Sequence, residues 1–244
     1  MIRFICIVAF VVLYLICSIP LLIAEWIIGK FNMDFKNRSS LAFVNFAFRV
    51  CLKISGVKVT YLGEERIPLD TAVLYVPNHR SFFDILLTYV RVPRPTGYIA
   101  KDGLAKWPLL SNWMRNLHCL FLNRENIKEG MKVILTAIEK MKSGISICVF
   151  PEGTRNKVND TFLPFHAGSF KIAEKSHCPI VPVAIVNASA MLEDQFPKVK
   201  PVKVIVEYGE PIYPDRLDKS QRKNLCSLTE EAIRTMYFKN KELI

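Results

Sequence analysis

The sequence has no glycine-rich loop, no CxxC pair and no charged residue between Phe4 and Ala24. Each absence removes a class of function. Gly153 stands alone in its loop, too isolated to cradle a nucleotide's phosphates, which argues against ATP chemistry. The seven cysteines are odd in number and show no ligand-like spacing with histidine. Structural zinc and a secreted disulfide framework are therefore rejected, and a reducing compartment is expected. Internal repeats, low-complexity tracts and linkers are also missing, so one domain with appendages suits the 244 residues. Apolar residues make up 51% of the chain against 23% charged, which excludes a disordered protein. Acidic residues are outnumbered, 22 against 33 basic, for a formal charge of +11. That balance suits an anionic partner such as a lipid head group, a phosphorylated substrate or an acidic carrier protein. Nothing beyond net charge speaks for nucleic acid, and it is not expected as a partner.

The uncharged run is long enough to cross a hydrocarbon layer of about 30 Å. It exceeds a signal-peptide core, has one n-region charge (Arg3) and lacks a small-residue cleavage site, so a retained anchor is expected. An apolar helix over 4–28 is predicted. Lys30, Lys36, Arg38, Arg49, Lys53 and Lys58 follow it, which puts the remaining chain on the cytoplasmic face of the cell membrane. A second helix, 39–54, either lies at the lipid boundary or packs on the core; both readings stay open. Residues 1–58 are thus read as the anchor and 59–244 as the enzymatic domain.

In that second part, strands are predicted at Thr71–Val76, Tyr98–Ala100, Cys119–Leu122, Ile145–Phe150, Pro179–Val186 and Val202–Tyr208, the last with one solvated face. Helices are predicted at Phe82–Val90, Leu104–Asn116, Asn126–Lys142, Ala167–Lys175 and Gln221–Phe238, the last with an inner stripe of Leu225, Leu228, Ala232 and Met236. This alternation indicates an α/β domain, a mostly parallel mixed sheet flanked by helices. Ligands collect beyond the carboxyl ends of such strands, and three polar clusters fall there: NHRSFFD, NREN and EGTRN.

In the first cluster, His79 precedes Asp84 by five residues. An imidazole can take a proton from a hydroxyl near neutral pH, and a carboxylate on its other nitrogen fixes the tautomer. The other histidines, His118, His166 and His177, meet Asn123, Lys171 and Pro182 at that spacing. Ser81 lacks a nucleophile-elbow context and reads as a turn or capping hydroxyl. In the third cluster Gly153 permits close backbone approach, Thr154 offers a hydroxyl and Arg155 can grip a phosphate bidentately. Glu152 can orient an arginine or a substrate hydroxyl, and Arg124 follows a neighbouring strand.

Together these residues resemble the glycerolipid acyltransferase family, which includes the lysophosphatidic acid acyltransferases. The resemblance rests on N-H-x(4)-D (Asn78, His79, Asp84) and F-P-E-G-T-R (Phe150 to Arg155), and extends to Lys101, Leu163, Pro164, Phe165, Gly168 and Val181-Pro182-Val183. It implies that His79 is the general base supported by Asp84. It further implies that Arg124, Glu152, Gly153, Thr154, Arg155 and Lys101 bind the acceptor. The acyl donor would be acyl-CoA or acyl-ACP, with no metal or other cofactor. His118, Ser111 and Gly103 depart from the family pattern and bear on which acceptor is used. Lysophosphatidic acid is the expected acceptor, with glycerol 3-phosphate, another lysophospholipid or a lyso-aminolipid as alternatives. A lipid hydrolase using Ser81 and a silent lipid-binding module are rivals of a different class.

Overall fold

Short runs of branched and aromatic residues, stopped by proline or polar turns, supply the strands. The computed structural model describes Met1–Ile244. Seven strands are present: β1 (Lys58–Leu62), β2 (Leu74–Pro77), β3 (Thr96–Lys101), β4 (Leu120–Leu122), β5 (Ser146–Cys148), β6 (Ile180–Val186) and β7 (Lys203–Tyr208). They form one sheet in the order β1-β7-β6-β2-β5-β3-β4. Every neighbouring pair is parallel except β6 and β7. The fold is thus α/β with a mostly parallel mixed sheet.

Helices cover both faces, as a parallel sheet requires. The chain contributes α1 (Ile2–Cys17), α2 (Ile19–Phe31), α3 (Met33–Ser55), α4 (Phe83–Tyr89), α5 (Leu110–Asn116), α6 (Ile127–Lys142), α7 (Lys171–Ser176), α8 (Lys219–Lys223) and α9 (Leu225–Lys241). Alternate strand residues divide between two cores. Tyr75, Val183 and Ile185 pack with Val44 of α3, Leu87 of α4 and Trp113 of α5. Leu74, Val76 and Ala184 pack with Met141 of α6, Ile172 of α7 and Ile233 of α9. Burying each such aliphatic side chain stabilises by ~1.5–3 kcal/mol.

Several expectations are corrected. The N-terminal helix is not continuous over 4–28: α1 and α2 meet at a 50° bend. Pro20 cannot donate to the Ile16 carbonyl and crowds it. Ser18 sits at the break, buried, and accepts from Trp113 Nε1 at 2.7 Å. No single helix is long and apolar enough to span a membrane; the bent pair meets the length and composition test. The second helix is longer than 39–54, and Asn32 caps its start by accepting from the Phe35 N–H. Leu41, Phe43, Val44, Phe48 and Leu52 pack it on the core. Strand β1 was not foreseen, and β7 has no solvated face, because Lys239 and Asn240 of α9 close over Glu207 at 3.1 and 2.6 Å. Pro108 splits 104–116 into a 3-10 turn and α5. Gln221–Phe238 divides at Asn224 into α8 and α9, whose buried stripe is Leu225, Thr229, Ile233, Met236 and Tyr237.

A second tie joins α3 to α6. His118, in the left-handed region at φ 61°, hydrogen-bonds Asn37 Oδ1 through Nε2 at 2.9 Å. Its Nδ1 accepts from Lys140 Nζ at 3.3 Å. Burial, then the Lys140 and Lys36 charges, push its pKa down to about 4, so the ring is neutral.

Candidate active site

Strand β2 ends at Pro77, and Asn78 prolongs its pairing by side chain. Asn78 Oδ1 accepts from Ile185 N at 2.7 Å while its Nδ2 donates to Ile185 O at 3.0 Å. The chain then turns, and both backbone groups of His79 are taken: its N–H donates to Glu152 Oε1 and its carbonyl accepts from Asn156 N, each at 2.8 Å. The imidazole stacks on Phe150 at 3.9 Å between centroids. Its Nδ1 lies 2.9 Å from Asp84 Oδ2 in the first turn of α4.

Asp84 is fully buried. Its Oδ2 also accepts from the backbone N–H of Arg80 and of Ser81, each at 2.7 Å, the convergent donation a buried carboxylate needs. A carboxylate only accepts, so the shared proton belongs on His79 Nδ1. That tautomer leaves a lone pair on Nε2, which makes no hydrogen bond within the protein. Ser81 is buried, and its Oγ accepts from Phe83 N at 3.0 Å rather than bonding His79.

The loop after β5 lies against this turn. Glu152 spends Oε1 on His79 N and Oε2 on Leu163 N, at 2.8 and 3.0 Å. Burial raises its pKa, opposed by these two donors. Gly153 adopts φ 70°, where a side chain is strained, and an added Cβ would come within 3.1 Å of His166 Nε2. Thr154 is exposed. Arg155 stacks over the Phe82 ring at 3.5 Å and donates from Nη1 to Glu193 Oε1 at 3.2 Å. Lys101 ends β3 and Arg124 follows β4; both are exposed and outside every ion pair.

Residues 58–186 match the Acyltransferase family. The chain belongs to that family. The acyltransferase is 30% identical over 189 residues to the 1-acyl-sn-glycerol-3-phosphate acyltransferase of Borreliella burgdorferi, covering 76% of this chain and 75% of the relative. A probable 1-acyl-sn-glycerol-3-phosphate acyltransferase of Mycoplasma pneumoniae is 29% identical, with 72% of this chain and 70% of the relative covered. Among solved structures, the 1-acyl-sn-glycerophosphate acyltransferase of Thermotoga maritima superposes with a TM-score of 0.70 at 26% identity, over 91% of this chain and 95% of the other.

Within this acyltransferase the foreseen residues follow the carboxyl ends of β2, β5, β3 and β4, and His79, Asp84 and Glu152 are brought into direct contact. His79 follows β2, Lys101 ends β3 and Arg124 follows β4, while Arg155, in the loop after β5, turns its guanidinium toward Phe82 and Glu193. Strands lie about 4.8 Å apart, so the β4 end is roughly 14 Å from the β2 end. Glu152, expected at the acceptor, has both oxygens turned to backbone N–H groups of its own chain. Its raised pKa and 3% exposure fit a brace between two loops. Three participants escaped sequence reasoning. Asn78 and Asn156 brace the His79 turn, and Glu193 holds Arg155. Asn78 lay inside a recognised motif and could have been weighed; nothing local marks Glu193. No three His, Cys, Asp or Glu side chains converge as metal ligands.

Proposed function

We propose that this acyltransferase transfers a fatty acyl group from acyl-CoA or acyl-ACP to the 2-hydroxyl of lysophosphatidic acid, yielding phosphatidic acid. One observation carries the reading: the 2.9 Å His79–Asp84 pair, with Nε2 free of protein partners, stands near the Arg155 guanidinium on the Phe82 ring in a chain whose relatives bear that activity's name. The acceptor hydroxyl donates to His79 Nε2, which takes the proton as the oxygen attacks the thioester carbonyl. Asp84 stabilises the imidazolium that forms. Collapse of the tetrahedral intermediate breaks the carbon–sulfur bond. The departing thiolate then recovers the proton from Nε2, so the products are an ester and a thiol.

Arg155, Lys101 and Arg124 favour a phosphate-bearing acceptor by charge, with Gly153 and Thr154 leaving the loop open to it. The bent pair α1–α2 beds the protein in the cytoplasmic membrane, and the rest of the chain, with α3 packed on it, works at the cytoplasmic surface. The outward apolar side chains of Ile5, Leu13, Ile16 and Trp26 support that bedding.

The test is purified protein in mixed micelles, given labelled acyl-CoA or acyl-ACP and a panel of lysolipids and glycerol 3-phosphate. Phosphatidic acid should form fastest, from lysophosphatidic acid. Preferred use of a phosphate-free acceptor, or release of free fatty acid instead of ester, would overturn the reading.

A further inference from the structure

We propose that Glu193 is a positioning residue for acyl transfer. It fastens Arg155 to the backbone beside the dyad, so that the phosphate grip is already aimed when the acceptor arrives. The inference deepens the preceding reading and rests on it for the role of Arg155.

Glu193 lies far along the chain from both partners, in a 3-10 turn (Glu193–Gln195) beyond β6. Its Oε1 accepts from the Phe82 backbone N–H at 2.7 Å and from Arg155 Nη1 at 3.2 Å. Phe82 immediately precedes α4, the helix that presents Asp84, and the Arg155 guanidinium rests on the Phe82 ring at 3.5 Å. One carboxylate oxygen therefore adds a second link between the two motif loops, beside the direct bonds at His79. The other oxygen, Oε2, is buried without a hydrogen-bond partner. An unpaired acceptor costs stability, so folding energy alone does not explain a carboxylate here.

Its effect on Arg155 does. An arginine side chain held only by solvent loses several rotamers when it seizes a phosphate. Glu193 and Phe82 impose that order beforehand, which lowers the cost of binding. A guanidinium has five N–H donors, and the contact with Glu193 engages Nη1, leaving Nε and Nη2 to offer a fork to an anion. The hydrogen bond, not the negative charge, is what matters. A neutral amide at 193 accepts from the same two donors, and it removes a carboxylate that repels the incoming phosphate.

The experiment measures kcat and the KM of each substrate for Glu193→Ala, Glu193→Gln, Arg155→Ala and the Glu193→Ala/Arg155→Ala double variant, in micelles with lysophosphatidic acid and acyl-CoA. Glu193→Ala should raise acceptor KM about tenfold and leave donor KM unchanged, as loss of one charge-assisted anchor implies. Glu193→Gln should stay within about threefold of the parent, since its amide oxygen keeps both bonds. In the Arg155→Ala background the Glu193→Ala effect should vanish, as two residues acting through one contact require. Should Glu193→Ala melt below assay temperature, Glu193→Asp replaces it. Its shorter carboxylate keeps the charge but cannot span both donors, and the same acceptor-specific loss is expected. The proposal is overturned if donor and acceptor KM change equally, or if the loss persists without Arg155. An unchanged acceptor KM in Arg155→Ala would instead refute the underlying assignment of Arg155.

Discussion

The turn that carries His79 and the cations that follow the neighbouring strands are built to opposite specifications. Around His79, the backbone N–H and carbonyl, the ring nitrogen Nδ1 and the buried Asp84 are all engaged at 2.7–2.9 Å. Lys101 and Arg124 stand exposed, and only Arg155 is fastened, through Glu193. Proton transfer accompanying attack tolerates little misplacement, so its groups must be ordered before the substrate arrives. Attraction of a phosphate falls off more gently with distance, and flexible cations can close on it after encounter. Hydrogen-bonded order is concentrated at the His79–Asp84 pair, where the proposed proton transfer needs it.

Substitutions can break this contrast, and the largest effects belong to the rigid side. His79→Ala should cut kcat by about 10²–10⁴-fold, the usual contribution of a general base, with the fold unaffected by circular dichroism. Retention of full turnover would show that another group takes the proton. Asp84→Asn should follow, at about 10²-fold or more in kcat. An amide oxygen can still accept from the Arg80 and Ser81 N–H groups, but it cannot stabilise imidazolium as a carboxylate does. On the cation side the loss should move from kcat to acceptor KM. Arg155→Ala should raise that KM about tenfold or more, as a lost charge-assisted contact of ~1.5–3 kcal/mol implies.

Next come effects on folding at His118, remote from both. The folded chain keeps this ring neutral down to about pH 4, whereas the unfolded chain protonates it near 6.5. Its stabilising contribution is therefore complete above pH 6.5 and is lost as the pH falls toward 4. The loss is on the order of 1–2 kcal/mol once solvent screening is allowed for. Unfolding midpoints in detergent at pH 7 and pH 5 should differ in the parent and converge in His118→Asn, since asparagine tolerates the left-handed backbone. The smallest effects are expected at Lys101 and Arg124: alanine at either should raise acceptor KM only a few fold, as exposed charges contribute ~0.2–1 kcal/mol. Equal losses at Arg124 and Arg155 would erase the contrast between the fastened cation and the exposed ones.

Most of the sheet was legible because its strands are short apolar runs bounded by proline and glycine, a pattern local in the chain. Strand β1, with Lys58 at its edge, was not, since KVTYL becomes a strand only by pairing with β7 some 145 positions on (Lys58 opposite Lys203). The β7 face around Glu207 misled for a related reason: alternation signals a solvated side unless a distant helix, here α9, covers it. Pro20 and Pro108 were visible, yet whether a proline bends or ends a helix depends on what packs beside it. At Ser18 that partner is Trp113.

Residue identity alone pointed to the His79–Asp84 contact. A histidine followed five positions later by an aspartate, after a buried strand, can fold back within one turn, so both partners are encoded together. The bracing of that pair was decided by tertiary structure. Asn78 reaches Ile185, Glu152 reaches His79 and Leu163, and Glu193 reaches Phe82 and Arg155. Such contacts join segments that only the sheet order brings together, and a hydrogen bond acts over about 3 Å in space whatever the separation along the chain.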